Sequence, residues 1–135
     1  MAQTGDYFSN EQGVALGGYD VVGYFKAHEA ERGSKAFSVS IKGSTFYFAN
    51  AENKAAFEKN PSAYLPAFGG YCAFAMASGN GQVPSNPETF KVYNGKLYLF
   101  YNDYYEGTPF NTIVPWNADE AKNLAQAEQN WQKLN

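Results

Sequence analysis

Apolar and polar positions alternate most cleanly in two stretches of the chain. Phe37-Ser38-Val39-Ser40-Ile41 has the two-residue period of a half-buried strand. Lys42-Gly43-Ser44 follows, then Thr45-Phe46-Tyr47-Phe48, so this segment predicts a β-hairpin. Phe90-Lys91-Val92-Tyr93 and Lys96-Leu97-Tyr98-Leu99-Phe100-Tyr101 flank Asn94-Gly95. Asn-Gly is preferred in a type I′ turn because both central residues take positive φ. The second hairpin is expected to lie in one sheet with the first.

Helical signals are shorter. Asp20 stands before Val21-Val22-Gly23-Tyr24-Phe25 as an N-cap for a single turn. Asn50 can cap a helix from Ala51 to Lys59 that buries Ala55, Ala56 or Phe57. Pro61 opens a further turn with Tyr64 facing inward. Phe68 to Ala77 is the most apolar stretch and predicts a short buried helix, beginning near Tyr71 and ended by Gly79 or Gly81. Residues 102–116, with Pro109 and Pro115, read as a long loop. Asn117 and Glu120 have capping-box spacing. Ala121, Leu124, Ala127, Trp131 and Leu134 recur at helical spacing, which predicts a final helix over about 118–133. Residues 1–12 read as a loose polar lead-in, and no linker or repeat divides the chain. The expected fold is one α+β domain over residues 1–135: antiparallel hairpins packed with several short helices and a longer C-terminal helix.

Composition changes this picture in one respect. The chain has 11 Phe, 11 Tyr and 2 Trp, against 15 Leu, Ile and Val together, so the core must be built largely from rings. Each buried tyrosine also needs a partner for its hydroxyl. Alternatively, some of these rings line a ligand pocket or a carbohydrate platform. Net charge is −3 with no basic run, which argues against nucleic acid as a partner. No stretch approaches the ~20 apolar residues of a membrane span. One cysteine and one histidine exclude an internal disulfide framework and a Cys₄ or Cys₂His₂ zinc site. No Ser/His/Asp order, paired catalytic carboxylates or phosphate-cradling glycine loop is visible. The polar opening Met1-Ala2-Gln3-Thr4-Gly5-Asp6 has no apolar h-region. It fits a cytosolic start, or a mature chain whose signal peptide has been replaced by a start methionine.

Gly18-Tyr19-Asp20-Val21-Val22-Gly23-Tyr24-Phe25, Phe46-Tyr47-Phe48, Phe57 with Pro61 and Tyr64, Gly69-Gly70-Tyr71-Cys72-Ala73 and Asn94-Gly95-Lys96-Leu97-Tyr98-Leu99 form an ordered set. In that order the set resembles the YHS domain family, more narrowly its small stand-alone bacterial members, over roughly residues 13–101. The resemblance implies a small α+β fold, a link to copper or another heavy metal, and a periplasmic or secreted location. Metal-trafficking members carry one cysteine in an Asp-Pro-Val-Cys-Gly segment and two in Tyr-Phe-Cys-Ser-x-x-Cys. This chain has Gly23 near the first position and Ala49 and Asn53 at the others, so that thiolate set is not transferred.

The remaining chemistry centres on Cys72, the only thiol. Free cysteine usually packs as a small apolar side chain. Near a helix start the dipole favours its reactive form. Met76, four residues on, makes with Cys72 a soft pair suited to Cu(I), or simply two core positions. Asp20 is a cap, or a hard ligand or acid/base group facing Cys72. His28 lies in a charged loop and reads as a surface histidine; a Cys72–His28 catalytic pair has no support in the sequence. The expected pocket gathers Tyr19, Asp20, Tyr24 and Tyr71 around Cys72, with Cys72, Met76 and Asp20 as metal ligands. The resulting expectation is a non-enzymatic protein that binds a copper ion or a small ligand. The alternatives are a thiol redox protein using Cys72 and a protein-interaction domain.

Overall fold

The computed structural model describes residues 7–134. Met1–Asp6, the first half of the polar lead-in, and Asn135 lie outside the described residues. In chain order the elements are α1 (Val21–Lys26), β1 (Ser34–Ile41), β2 (Ser44–Phe48), α2 (Ala51–Lys59), α3 (Ala73–Ala77), β3 (Asn86–Tyr93), β4 (Lys96–Phe100), β5 (Asn102–Tyr105), β6 (Thr108–Asn111), α4 (Ile113–Ala118) and α5 (Glu120–Leu134). Short 3₁₀ turns lie at Leu16–Gly18, Pro61–Ala63 and Ala67–Gly70. The fold is α+β, as expected.

Three antiparallel hairpins share one turn chemistry. Lys42-Gly43, Asn94-Gly95 and Glu106-Gly107 each place two consecutive residues at positive φ, as a type I′ turn requires. Tyr93 pairs with Lys96 and Phe90 with Leu99, in the register expected around Asn94-Gly95. The expected common sheet does not form: β1–β2, β3–β4 and β5–β6 are separate two-stranded sheets. The outer edges are taken by other segments: Cys72 bridges Leu99 of β4, and Val14 bridges Thr45 of β2. Within β4, Leu97–Phe100 are all buried. Successive strand side chains point to opposite faces. Leu97 and Leu99 accordingly enter one cluster with Leu16, Val22, Phe46 and Phe57. Tyr98 and Phe100 enter another with Phe68, Met76, Trp116 and Ala127. A strand walled by core on both faces holds two packing layers apart.

The second layer also corrects the C-terminal reading. Residues 102–111 are the third hairpin, and α4 follows, so 102–116 is not a loop. Asn117 lies inside α4 rather than capping α5, and α5 begins at Glu120. Only Ala127 of the α5 stripe is fully buried; Leu124 and Trp131 pack partly, and Leu134 is exposed. Glu120 is used differently from a capping box. Its carboxylate accepts from Trp116 Nε1 at 2.9 Å and pairs with Lys91 Nζ at 2.7 Å, joining β3 to the α4–α5 corner. Burial alone would raise its pKa; the hydrogen bonds from Lys91 and Trp116 outweigh this and hold the carboxyl below its ordinary range. Residues 7–12 are also more ordered than a loose lead-in. Tyr7 packs edge-on against Phe46 at 5.3 Å, and Phe8 N–H donates to the Gly69 carbonyl.

Asp20 organises the first layer. It is fully buried and caps α1, accepting from Val22 N–H at 2.8 Å and Gly23 N–H at 3.3 Å on Oδ1. Its Oδ2 accepts from Ala49 N–H and Asn53 Nδ2, both at 2.8 Å. One side chain thereby fastens α1, the end of β2 and α2. Asn53 Oδ1 in turn accepts from Lys26 Nζ at 3.5 Å, which places a cation one amide away from the buried carboxylate. Asn50 caps α2 through Asn53 N–H at 2.8 Å, and the helix buries Phe57 while Ala55 stays exposed.

Two stability measurements check this. Asp20→Ala strands three backbone donors and one amide, and urea unfolding is expected to show a loss of at least about 3 kcal/mol. Glu120→Gln is expected to lose about 0.5–1 kcal/mol at neutral pH. A depressed folded-state pKa contributes stability above the unfolded value, near 4.5, that is lost as pH falls through the lower folded value. The gap between Glu120→Gln and wild type should therefore close on acidification.

Candidate functional site

The residues expected to share one pocket separate into two regions. Tyr19 and Tyr24 turn toward the start of β3. Tyr19 Oη donates to Glu88 Oε2 at 2.8 Å, and Arg32 lies over the Tyr19 ring, 4.9 Å from its centre. Tyr24 Oη donates to the Pro87 carbonyl at 2.6 Å, and its ring packs on Phe90 at 4.7 Å. The bond to Glu88, then burial, raises the Tyr19 pKa, with Arg32 pulling the other way. Burial above all drives the Tyr24 phenol far above its ordinary value. Both rings are core tyrosines with satisfied hydroxyls. Tyr71 is also buried, and packs on Phe8 at 5.7 Å. Asp20 has both oxygens engaged in the knot around α1, so it is a cap and tie rather than a group turned to Cys72. His28 is exposed, as read from the sequence.

The three positions compared above with thiolates do come together in space. Gly23 N–H, Ala49 N–H and Asn53 Nδ2 are three of the four donors to Asp20. A carboxylate held by amides fills the place where they converge.

Cys72 lies elsewhere, at the N-cap of α3, fully buried. It makes an isolated parallel bridge with Leu99 of β4. The Gly69-Gly70 pair before it is approached by other segments of the chain rather than by Cys72: Phe8 N–H donates to the Gly69 carbonyl at 2.8 Å and Ser85 Oγ to the Gly70 carbonyl at 2.7 Å. A Cβ on Gly70 would stand 2.4 Å from Leu16 Cδ2, so the pair serves packing and a left-handed turn. The Cys72 sulfur accepts from Ala75 N–H at 3.4 Å and lies 3.3 Å from Thr112 Oγ1. Thr112 gives its single hydroxyl proton to the Tyr101 carbonyl at 2.8 Å. Sulfur is therefore the donor to Thr112, and the contacts run as a chain: Cys72 S–H to Thr112 O–H to Tyr101 C=O. Met76 packs in the second cluster against the Phe68 and Trp116 side. Among the described residues, no group of three or more His, Cys, Asp or Glu is placed to hold a metal ion.

Above Cys72 is a cleft of about 380 Å³. α3 and its cap supply Cys72, Phe74 and Ala75 as floor, and the following loop supplies Asn80 and Val83. Tyr101 and Thr112 stand at the base of the third hairpin, and Tyr105 and Phe110 rise from its strands as the far wall. Register explains that wall. Phe110 pairs with Asp103, two residues before Tyr105, so the two rings share a face of the hairpin; their centres lie 6.2 Å apart. Tyr104, on the opposite face, is 67% exposed. None of the lining residues carries a charged side chain. The cleft walls were missed in the sequence because residues 102–111 read as a loop. Tyr104-Tyr105-Glu106-Gly107-Thr108, an aromatic run into an X-Gly pair, was the available signal.

Comparison with family models, with curated proteins and with solved structures finds no match to this chain.

Full burial of Cys72 makes its thiol slow to react. Alkylation by iodoacetamide in the native state is expected to be at least about 100-fold slower than in guanidinium, at the same pH. Equal rates would place the sulfur at the surface.

Proposed function

We propose that this protein is a non-enzymatic binding protein whose ligand is a small, uncharged, ring-bearing molecule held in the cleft above Cys72. The observation that carries this reading is the lining: Phe74, Tyr101, Tyr105 and Phe110 around a space of about 380 Å³, with no charged side chain. Pockets for small molecules are concave, mostly apolar and hold a few polar groups for orientation. The polar groups here are modest. Cys72 and Thr112 are committed to each other and to Tyr101, and Asn80 Nδ2 donates to Ser78 Oγ at 3.0 Å. A charged ligand would find no counter-charge, whereas a flat ring can stack on Tyr105 or Phe110.

Copper is the other cargo that the resemblance implies. The side chains do not fit it. Asp20 has no open lone pair toward Cys72, Met76 is packed among rings, and the Cys72 sulfur is held on both sides. A redox role for Cys72 meets the same burial.

The uncharged fluorophore N-phenyl-1-naphthylamine serves as probe. Saturable fluorescence enhancement is expected. Tyr105→Ala and Phe110→Ala should each weaken it roughly 3- to 10-fold, the value of a lost ring contact. Tyr104→Ala, on the other face, should bind as wild type. No saturable binding, or equal loss in all three variants, would remove the cleft as the site.

A further inference from the structure

The third hairpin is joined to the body in an unusual way. Six of its eight strand residues are exposed, and only Asn102 and Asn111 at its base are half-buried. An isolated two-stranded hairpin is at best marginally stable in water. Among the described residues, its hydrogen bonds to the rest of the chain lie at that base, apart from one from Tyr101, the residue before β5, whose Oη donates to the Tyr104 carbonyl. Thr112 N–H donates to the Tyr101 carbonyl at 2.9 Å, across the two ends of the hairpin. Asn102 Nδ2 donates to Thr89 Oγ1 at 3.0 Å, and Asn86 Nδ2 reaches the Asn102 carbonyl at 3.5 Å. Beyond the base, the hairpin meets the body through the cleft face that carries Tyr105 and Phe110. A segment with few buried contacts and exposed backbone pairing belongs to the low-stability end of a structure.

We propose that β5–β6 is a flap over the cleft, hinged at Tyr101–Asn102 and Asn111–Thr112, and that Cys72 is its latch. The S–H of Cys72 donates to Thr112, and Thr112 donates twice to Tyr101, so both ends of the hairpin are referred to one buried sulfur on the cleft floor. Cys72 is thus a positioning residue: it sets where the ringed wall stands without meeting a ligand itself. The flap's closing on a ligand rests on the reading of the cleft as a binding site; its hinge and latch do not. Opening lets a ligand pass Tyr105 and Phe110, and closing lays those rings upon it.

Amide hydrogen exchange followed by NMR on the full chain tests this. In the free protein, amides of residues 103–110 are expected to exchange as one group, at least about tenfold faster than those of β4. Cys72→Ala should speed that group about fivefold, the value of one hydrogen bond, with β4 changed less. Cys72→Ser, which keeps a donor, should restore wild-type exchange. Should Cys72→Ala fold poorly, Thr112→Val removes the same link from the other side and should have the same effect. N-phenyl-1-naphthylamine should slow the flap group selectively. Exchange of the hairpin only together with β4, or equal flap exchange in the Ala, Ser and wild-type proteins, would overturn the proposal. Probe binding without slower flap exchange would overturn the closing flap while leaving the cleft. Separate, Cys72-sensitive opening with no probe binding would support hinge and latch and overturn the ligand reading.

Discussion

The carboxylate of Asp20 is the constraint on which the first half of the molecule depends. An unpaired buried carboxylate is strongly unfavourable, and among the described residues this one has no direct cationic partner. It is held instead by four donors from three places: the first turn of α1, the end of β2 and the side chain of Asn53 on α2. Because those donors are themselves fixed in backbone or in a helix, satisfying the charge also fixes the relative placement of α1, β2 and α2. Phe46 and Phe48 can then pack on Phe57, with ring centres 5.6 and 5.0 Å from it, and the ring-rich core closes around them.

From that layer the structure builds outward through β4. Leu97 and Leu99 are anchored in the first cluster; Tyr98 and Phe100, on the other face, receive Trp116 at 5.8 and 5.5 Å. The cleft lies beside this second layer. Its floor is the capped start of α3, positioned by the bridge from Cys72 to Leu99, and its wall is the hairpin that follows β4. Buried packing is thus concentrated around Asp20 and β4, and the exposed rings are carried on the least buried hairpin.

Much of the first layer was legible in the sequence. The caps of Asp20 and Asn50 and the turn at Asn94-Gly95 act locally, and local chemistry can be read from neighbouring residues; the tie from Asp20 to Ala49 and Asn53, 29 and 33 positions on, cannot. Tyr19 and Tyr24 could be read as aromatic but not placed, because their partners, Glu88 and Pro87, are more than 60 positions away. The same holds for Cys72. Its identity drew attention, yet its meaning lies in Thr112, 40 residues on, within a segment whose two prolines suggested a loop. Pro109 is in fact tolerated in β6, on a two-stranded sheet where every strand is an edge. Pro115 sits in the first turn of α4, where a missing N–H disturbs little. The separation of the three sheets was not legible at all, since alternation reports a strand's two faces and not what pairs along its edges.

We propose that small molecules meet this protein at the cleft above Cys72 and not around Tyr19 and Asp20. Titrating uniformly ¹⁵N-labelled protein with N-phenyl-1-naphthylamine and following amide shifts tests it most directly. Saturable shifts are expected at residues 72–75, 80–83 and 101–112, with those of Tyr19, Asp20, Tyr24 and Asn53 unmoved. Shifts centred on Tyr19, Asp20 and Tyr24, with the cleft silent, would contradict it.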